Sequence, residues 1–127
     1  NTRERGGENC IGDRPFSESE SLALARFTLK IRPFATLSFH TKGGEIYWEF
    51  SGRGDERGAR VLSDATGYAV KRIRGSAGGY KDWCIQKLGI PAYTIECGRD
   101  ELAHPVTDVR KISECFGALS YFTKYYP

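Results

Sequence analysis

Two ionisable residues, His40 and Glu96, each close a short apolar segment of the kind that forms a buried strand. The segments are "TLSFH" and "AYTIE". Side chains at the ends of central strands often meet at a ligand-binding crevice. In such a position a histidine nitrogen could bind zinc, and a glutamate could hold a water molecule and move its proton. Each residue also has a structural interpretation: a hydrogen-bonded histidine, and a glutamate paired with a neighbouring cation.

The spacing of apolar residues predicts the elements that would position these two side chains. A helix is predicted over 18–30, because apolar residues recur there at helical intervals. Ser17 and Glu20 have the spacing of a capping box at its start, and Pro33 stops it. Short apolar segments rich in strand-forming residues predict three strands, "FATLSFH", "EIYWEF" and "AYTIECG".

Three further helices are predicted after the second strand. "ARVLSDATGYAV" is typical of a short helix, and a second helix over 80–87 is closed by Gly89 and Pro91. A long terminal helix is predicted to pack on one face. Its apolar residues, three or four apart, are Val106, Val109, Ile112, Phe116, Leu119 and Phe122. The order helix, strand, strand, helix, helix, strand, helix indicates an α/β fold, a layered sheet with helices on both faces.

Composition argues against two classes of partner. A chain of 127 residues is sufficient for one domain and short for two. The net charge of +3 comes from 19 basic and 16 acidic residues that are scattered together, so no nucleic-acid partner is expected. No apolar run is long enough to span a bilayer, so no membrane partner is expected either.

The four cysteines are spaced too widely for a common metal or redox motif. They are Cys10, Cys84, Cys97 and Cys115, and none forms a CxxC pair. Most are expected to be small buried thiols of a reducing compartment. Pairing between Cys84 and Cys97 is left open.

Four blocks stand together in an order and spacing that we associate with one family. The blocks are "FHTKGGEIYWEF", "TGYAV", "GSAGGYKDW" and "AYTIECG". From about Pro15 to its end the chain resembles the zinc carboxypeptidase family, and most closely its bacterial branch of γ-D-glutamyl-diamino acid peptidases. The resemblance implies the C-terminal half of that fold, a partial metallocarboxypeptidase catalytic domain over 17–127. The glycines and charges of residues 1–16 predict an irregular lead-in before it. The resemblance also implies zinc as cofactor and a peptide or murein-peptide substrate, cut at peptide or γ-D-glutamyl-diaminopimelate bonds.

The resemblance implies roles for individual residues. His40 would be the third zinc ligand, and Glu96 would take a proton from the attacking water and return it to the departing amine. Lys81 would read the substrate side chain, where it could attract the extra carboxylate of diaminopimelate; the alternative is a solvated helix lysine. The tyrosine that covers bound substrate falls on Arg74 in an ungapped comparison, and Tyr80 or Tyr68 could substitute for it.

The chain also departs from the family pattern. The first two zinc ligands of the family form a His-x-x-Glu motif, but His40 is followed three residues later by Gly43, and His104 by Thr107. The zinc site is therefore expected to be incomplete in this chain. One alternative is a general metallocarboxypeptidase that releases C-terminal residues, and another is a non-catalytic remnant or binding module. Surface left open by missing elements would favour self-association.

Overall fold

The structure is a computed structural model. It describes residues 12–74, 77–98 and 109–126. The chain divides into two compact units, Asn1–Phe34 and Ala35–Pro127. All strands of the described residues lie in the second unit. The division into a lead-in over 1–16 and a catalytic domain over 17–127 stays a prediction.

The first unit contains helix α1, Ser19–Ile31, which confirms the helix predicted over 18–30. The predicted capping box is wrong. Glu18 is the N-cap residue and its side chain makes no cap. The Glu18 carboxylate instead accepts from the Ser17 hydroxyl at 2.9 Å. The helix ends at Arg32, whose backbone turns into the left-handed region at φ 45°.

The second unit contains, within the described residues, a four-stranded sheet and a separate two-stranded sheet. The strands are β1 Thr36–His40, β2 Glu45–Tyr47, β3 Glu49–Phe50, β4 Arg53–Gly54, β5 Ala69–Lys71 and β6 Ala92–Glu96. The larger sheet has the order β1-β6-β2-β5, and β3 pairs with β4. β6 runs parallel to β1 and antiparallel to β2, while β2 runs parallel to β5. β6 is therefore central, and both of its neighbours can bring side chains to its end.

Two segments differ from the predicted elements. The predicted strand "EIYWEF" is interrupted at Trp48, whose side chain is buried in the core, and the next two residues pair with β4 instead. The predicted helix "ARVLSDATGYAV" is α2, Glu56–Thr66, but its last residues form β5. The helix ends because Gly67 takes a left-handed conformation at φ 67°.

Helices lie on both faces of the larger sheet, which confirms the predicted layers. On one face lie α2 and α4, Val109–Tyr125; on the other lies α3, Tyr80–Trp83, which continues as a π-helical turn over Cys84–Leu88. The core on the α2 and α4 face contains Ile46, Trp48, Ala59, Leu62, Tyr68, Tyr93, Ile95, Cys97, Ala118 and Phe122. The core on the α3 face contains Cys84, Ile85 and Ala92. Ala92 and Tyr93 serve opposite cores because consecutive residues of a strand point to opposite faces.

Among the side chains of the terminal helix α4 that the structure describes, the buried stripe is narrower than the sequence predicts. Ala118 and Phe122 are buried, but Phe116 is 67% exposed and Leu119 is 41% exposed, so the prediction for those two is wrong. The buried residues Ala118 and Phe122 are four apart and share one side of the helix. Phe116 and Leu119 each follow a half-buried or buried residue, and one step along a helix turns the side chain by about 100° away from that side. Val106 and the side chains of Val109 and Ile112 lie outside what the structure describes. No helix in the described part of the chain is long and apolar enough to cross a membrane.

Candidate functional site

His40 and Glu96 are neighbours in the sheet. Each is the last residue of its strand, and the register of β1 and β6 pairs them directly. Glu45, the first residue of β2, is paired with Glu96 from the other side. Directly paired residues project from the same face, and neighbouring strands lie about 4.8 Å apart. The strand ends therefore carry a polar row of three residues, His40, Glu96 and Glu45, on the face opposite to α2 and α4.

Backbone hydrogen bonds hold the chain that leaves His40 against the end of β6. The Cys97 amide donates to the His40 carbonyl at 2.7 Å, the Gly43 amide to the Gly98 carbonyl at 2.8 Å, and the Gly44 amide to the Glu96 carbonyl at 2.8 Å. Glycine is required at 43 and 44 because φ is 151° and 63° there, in the region that other residues avoid. The separation of the two strand ends is thus set by the backbone.

A second group of polar side chains adjoins the row and was missed by the sequence analysis. One oxygen of the Glu45 carboxylate accepts from the Lys71 ammonium, and the other accepts from the Tyr47 hydroxyl. The Lys71 bond and then the Tyr47 bond lower the pKa of Glu45. The Glu45 bond, with burial, raises the pKa of Tyr47 to about 12. The two-residue alternation in "EIY" was a usable signal, but Lys71 directly follows the predicted helix "ARVLSDATGYAV" and was assigned to no strand.

Lys81 is buried in α3 rather than solvated. Only 7% of the residue is exposed, so the alternative of a solvated helix lysine is wrong. Its ammonium donates to the Asp82 carboxylate at 2.6 Å and to the Glu49 carbonyl at 2.9 Å, and it lies 5.7 Å from the centre of the Phe50 ring. Asp82 in turn accepts from the Gly79 amide at 3.3 Å. The role of Lys81 in reading a substrate side chain stays a prediction.

The candidates for the tyrosine that covers substrate lie in different surroundings. Arg74 is exposed after β5, and Tyr80 is half-buried in α3, with its ring centre 6.2 Å from that of Trp83. Tyr68 is buried, and its hydroxyl accepts from the Gly98 amide at 2.9 Å. That bond keeps the Tyr68 phenol inside the core, while the roles of Arg74 and Tyr80 stay predictions.

α3 packs on the face of β6 that also carries Glu96. Ala92 belongs to the core beneath α3, and Glu96 projects from the same face four residues further along the strand. At the usual rise per residue the two positions are about 13 Å apart. The structure therefore brings His40 and Glu96 directly together, and places Lys81 and Tyr80 on a helix beside the other end of the same strand.

The described residues do not complete a zinc site. A catalytic zinc takes three protein ligands, and the described part of the chain contains no group of three histidine, cysteine, aspartate or glutamate residues that could hold a metal ion. His40 offers one imidazole. His104 and Cys10 lie outside the described residues.

The fold that carries this site is similar to that of a solved protein. The chain superimposes on the crystal structure of thrombin activatable fibrinolysis inhibitor (TAFI) with a TM-score of 0.70 and 25% identity, over 90% of this chain and 35% of that one. This is a carboxypeptidase-type fold. This match confirms the layered α/β sheet predicted from the sequence. It also agrees with the resemblance of the chain to part of the zinc carboxypeptidase fold.

Curated relatives agree with the structural match. The chain is 31% identical to gamma-D-glutamyl-L-diamino acid endopeptidase 1 of Lysinibacillus sphaericus, over 85% of this chain and 28% of that protein. It is 34% identical to the uncharacterized protein YqgT of Bacillus subtilis (strain 168), over 71% of this chain and 25% of that protein. The chain thus spans about a quarter of the length of these relatives. No protein family model matches it.

Proposed function

We propose that this chain supplies part of the active site of a peptidase, with Glu96 as the general base and His40 as one zinc ligand. The observation that carries the proposal is the direct pairing of His40 with Glu96 at the ends of two parallel strands in a carboxypeptidase-type fold. A ligand nitrogen and a carboxylate on neighbouring strands of one face can reach the same water molecule and the same scissile bond.

Glu96 performs the proton transfers in this proposal. Its carboxylate takes a proton from the attacking water and returns it to the departing amine. Neither a free hydroxide ion nor an amide anion then has to form. The Glu96 backbone carbonyl is held by the Gly44 amide, so the strand end that carries the carboxylate has a fixed position. Among the described residues, His40 is the one ligand that we assign to zinc. The other ligands would come from outside the described residues.

The proposed substrate is the γ-D-glutamyl-diaminopimelate bond of cell-wall peptides. Support comes from the identity of 31% to an endopeptidase named for γ-D-glutamyl-L-diamino acid bonds. Diaminopimelate carries an additional carboxylate, and Lys81 is the cation proposed to meet it. That cation is paired with the Asp82 carboxylate, so binding would require the substrate carboxylate to share the ammonium with Asp82.

Hydrolysis assays with two matched peptides test the proposal. The peptides contain the same residues, and the glutamyl bond to diaminopimelate is γ-D-linked in one and α-linked in the other. The chain is assayed with zinc, both by itself and within any longer polypeptide that contains it. We expect cleavage of the γ-linked peptide, and Glu96→Gln should lower kcat by roughly 100-fold or more because the general base is removed. Glu56→Gln, which removes a carboxylate of α2 outside the polar row, is the matched control and should leave kcat unchanged.

Three outcomes would contradict parts of the proposal. Turnover by Glu96→Gln equal to that of the unaltered chain would contradict the assignment of Glu96 as the general base. Cleavage of the α-linked peptide alone would contradict the proposed substrate and favour a general metallocarboxypeptidase. Absence of turnover in every form that binds zinc would contradict the peptidase function itself.

A second candidate function is a non-catalytic binding module. The absence of a three-ligand group among the described residues favours it. Calorimetric titration of the chain with zinc distinguishes the two functions. Stoichiometric binding that is lost in His40→Ala supports the peptidase, whereas failure of every form of the protein to bind zinc supports the module.

A further inference from the structure

Cys97 and Cys115 bring their sulfur atoms to 2.9 Å of each other, although they are 18 residues apart in the chain. Cys97 follows directly after β6, and Cys115 lies in α4. Both face the core between the sheet, α2 and α4. Cys84 belongs to the core on the opposite face of the sheet, so Cys84 does not pair with Cys97, a question that the sequence left open.

The two thiols differ in their access to solvent. Cys97 is 4% exposed, whereas Cys115 is half-buried. A small thiol reagent can therefore reach Cys115 and cannot reach Cys97 directly. A disulfide bond is about 2.0 Å long, so the two sulfur atoms need to approach by only about 1 Å more. This arrangement has an outer thiol that can be attacked and an inner thiol positioned to complete the bond.

We propose that Cys97 and Cys115 form a disulfide by exchange with a low-molecular-weight disulfide. The Cys115 thiolate attacks the small disulfide, gives a mixed disulfide and releases one small thiol. The Cys97 thiolate then attacks the Cys115 sulfur and releases the second small thiol. The two protein thiols are oxidised by two electrons in total, the small disulfide is reduced by the same two, and the two thiol protons pass through solvent to the released thiolates.

The disulfide would fasten the end of β6 to α4. Cys97 is the residue after Glu96, and its amide also donates to the His40 carbonyl at 2.7 Å. The bond would lie on the α2 and α4 side of the sheet, whereas Glu96 projects from the other side, so it does not block the polar row. Formation of the disulfide does not depend on the proposed peptidase function.

Mass spectrometry after incubation with oxidised glutathione tests the proposal on the full chain. A non-reducing digest should contain a peptide in which Cys97 is joined to Cys115, formed faster in the folded chain than in urea. Cys84→Ser is the matched control and should give the same linked peptide. Cys97→Ser should retain glutathione on Cys115, because the thiol that resolves the mixed disulfide is absent.

Several results would overturn the proposal. These are a stable glutathione adduct on Cys115 of the unaltered chain, a link from Cys97 to another cysteine, or equal rates of linkage in urea and in buffer. A second measurement needs no variant. The melting temperature of the unaltered chain should rise by roughly 5 °C or more on oxidation and return on reduction, since the bond closes a loop of chain. An unchanged melting temperature in a chain that is fully linked would contradict the native position of the pair.

Discussion

At the residue scale, the polar row at the strand ends is held by hydrogen bonds that centre on Glu45. Its carboxylate accepts from Lys71 and from Tyr47, and it is the neighbour of Glu96 across the strand pair. The Lys71 bond is the larger cause of the lowered pKa of Glu45. The bond between Tyr47 and Glu45 adds to that shift and also raises the pKa of Tyr47, because it favours the ionised carboxylate and the protonated phenol. An ionised carboxylate is thus kept beside the candidate general base.

The raised pKa of Tyr47 predicts that the folded chain loses stability at high pH. That pKa is about 12 in the folded chain and about 10 in an unfolded one. Folding therefore favours the protonated hydroxyl, and the contribution is complete below about pH 10 and is lost as the pH rises through about 12. We expect the free energy of unfolding, measured by urea titration across this range, to fall less steeply in Tyr47→Phe than in the unaltered chain.

A direct measurement on the hydroxyl separates this bond from other effects of alkaline pH. With labelled tyrosine, NMR titration should show that the pKa of Tyr47 falls towards 10 in Glu45→Gln, because the charged acceptor is gone. An unchanged pKa in that variant would contradict the assigned bond.

At the element scale, one carboxylate joins α2, β6 and the end of α4. Asp55 is the N-cap of α2 and accepts from the Arg57 amide at 3.0 Å. It also accepts from the Tyr93 hydroxyl at 3.2 Å and from the Tyr126 hydroxyl. These bonds and burial raise the pKa of both tyrosines, with burial the larger cause. The close approach of Tyr93 to α2 depends on a glycine, Gly58.

Substitution of two helical glycines should have opposite effects. A Cβ at Gly58 would lie 2.0 Å from the Tyr93 hydroxyl, so Gly58→Ala should lower the free energy of unfolding by about 1–3 kcal/mol as α2 is pushed from β6. A Cβ at Gly117, in α4, would meet nothing within 4 Å, so Gly117→Ala should raise it by about 0.5–1 kcal/mol. Urea unfolding measures both. Equal effects of the two substitutions would contradict the packing of Tyr93 on α2.

At the scale of the whole molecule, apolar side chains remain on the outer surface of α4. Phe116 and Leu119 lie one helical turn apart, and both are exposed. Two such neighbours form an apolar patch of the kind that favours contact with another protein surface. Self-association, predicted from the sequence, remains a prediction, and this patch is where we expect it.

Sedimentation velocity tests self-association through α4. The unaltered chain should show a concentration-dependent increase in sedimentation coefficient, and Phe116→Glu combined with Leu119→Glu should abolish it because the patch becomes charged. Ser120→Glu, an exposed position on the same helix, is the control for added charge. A monomer at all concentrations, or association that survives the double substitution, would exclude this patch.

The sequence by itself determined the features that depend on nearby residues. The helical spacing of α1, the apolar segments of β1 and β6, and the positions of His40 and Glu96 at strand ends were all predicted, and the layered α/β class followed from their order. Local errors arose where one residue outweighed the pattern: Gly67 ended α2 early, and Trp48 left the strand to enter the core.

Only the tertiary structure decided which distant residues meet. The strand order β1-β6-β2-β5 pairs His40 with Glu96 and Glu96 with Glu45, and the same packing buries Lys81 and brings Cys97 to Cys115. Spacing along the chain contains no information about such contacts, because strand register and burial are set by side chains far apart in sequence. The resemblance of four blocks to a known family could suggest this arrangement, whereas their periodicity could not.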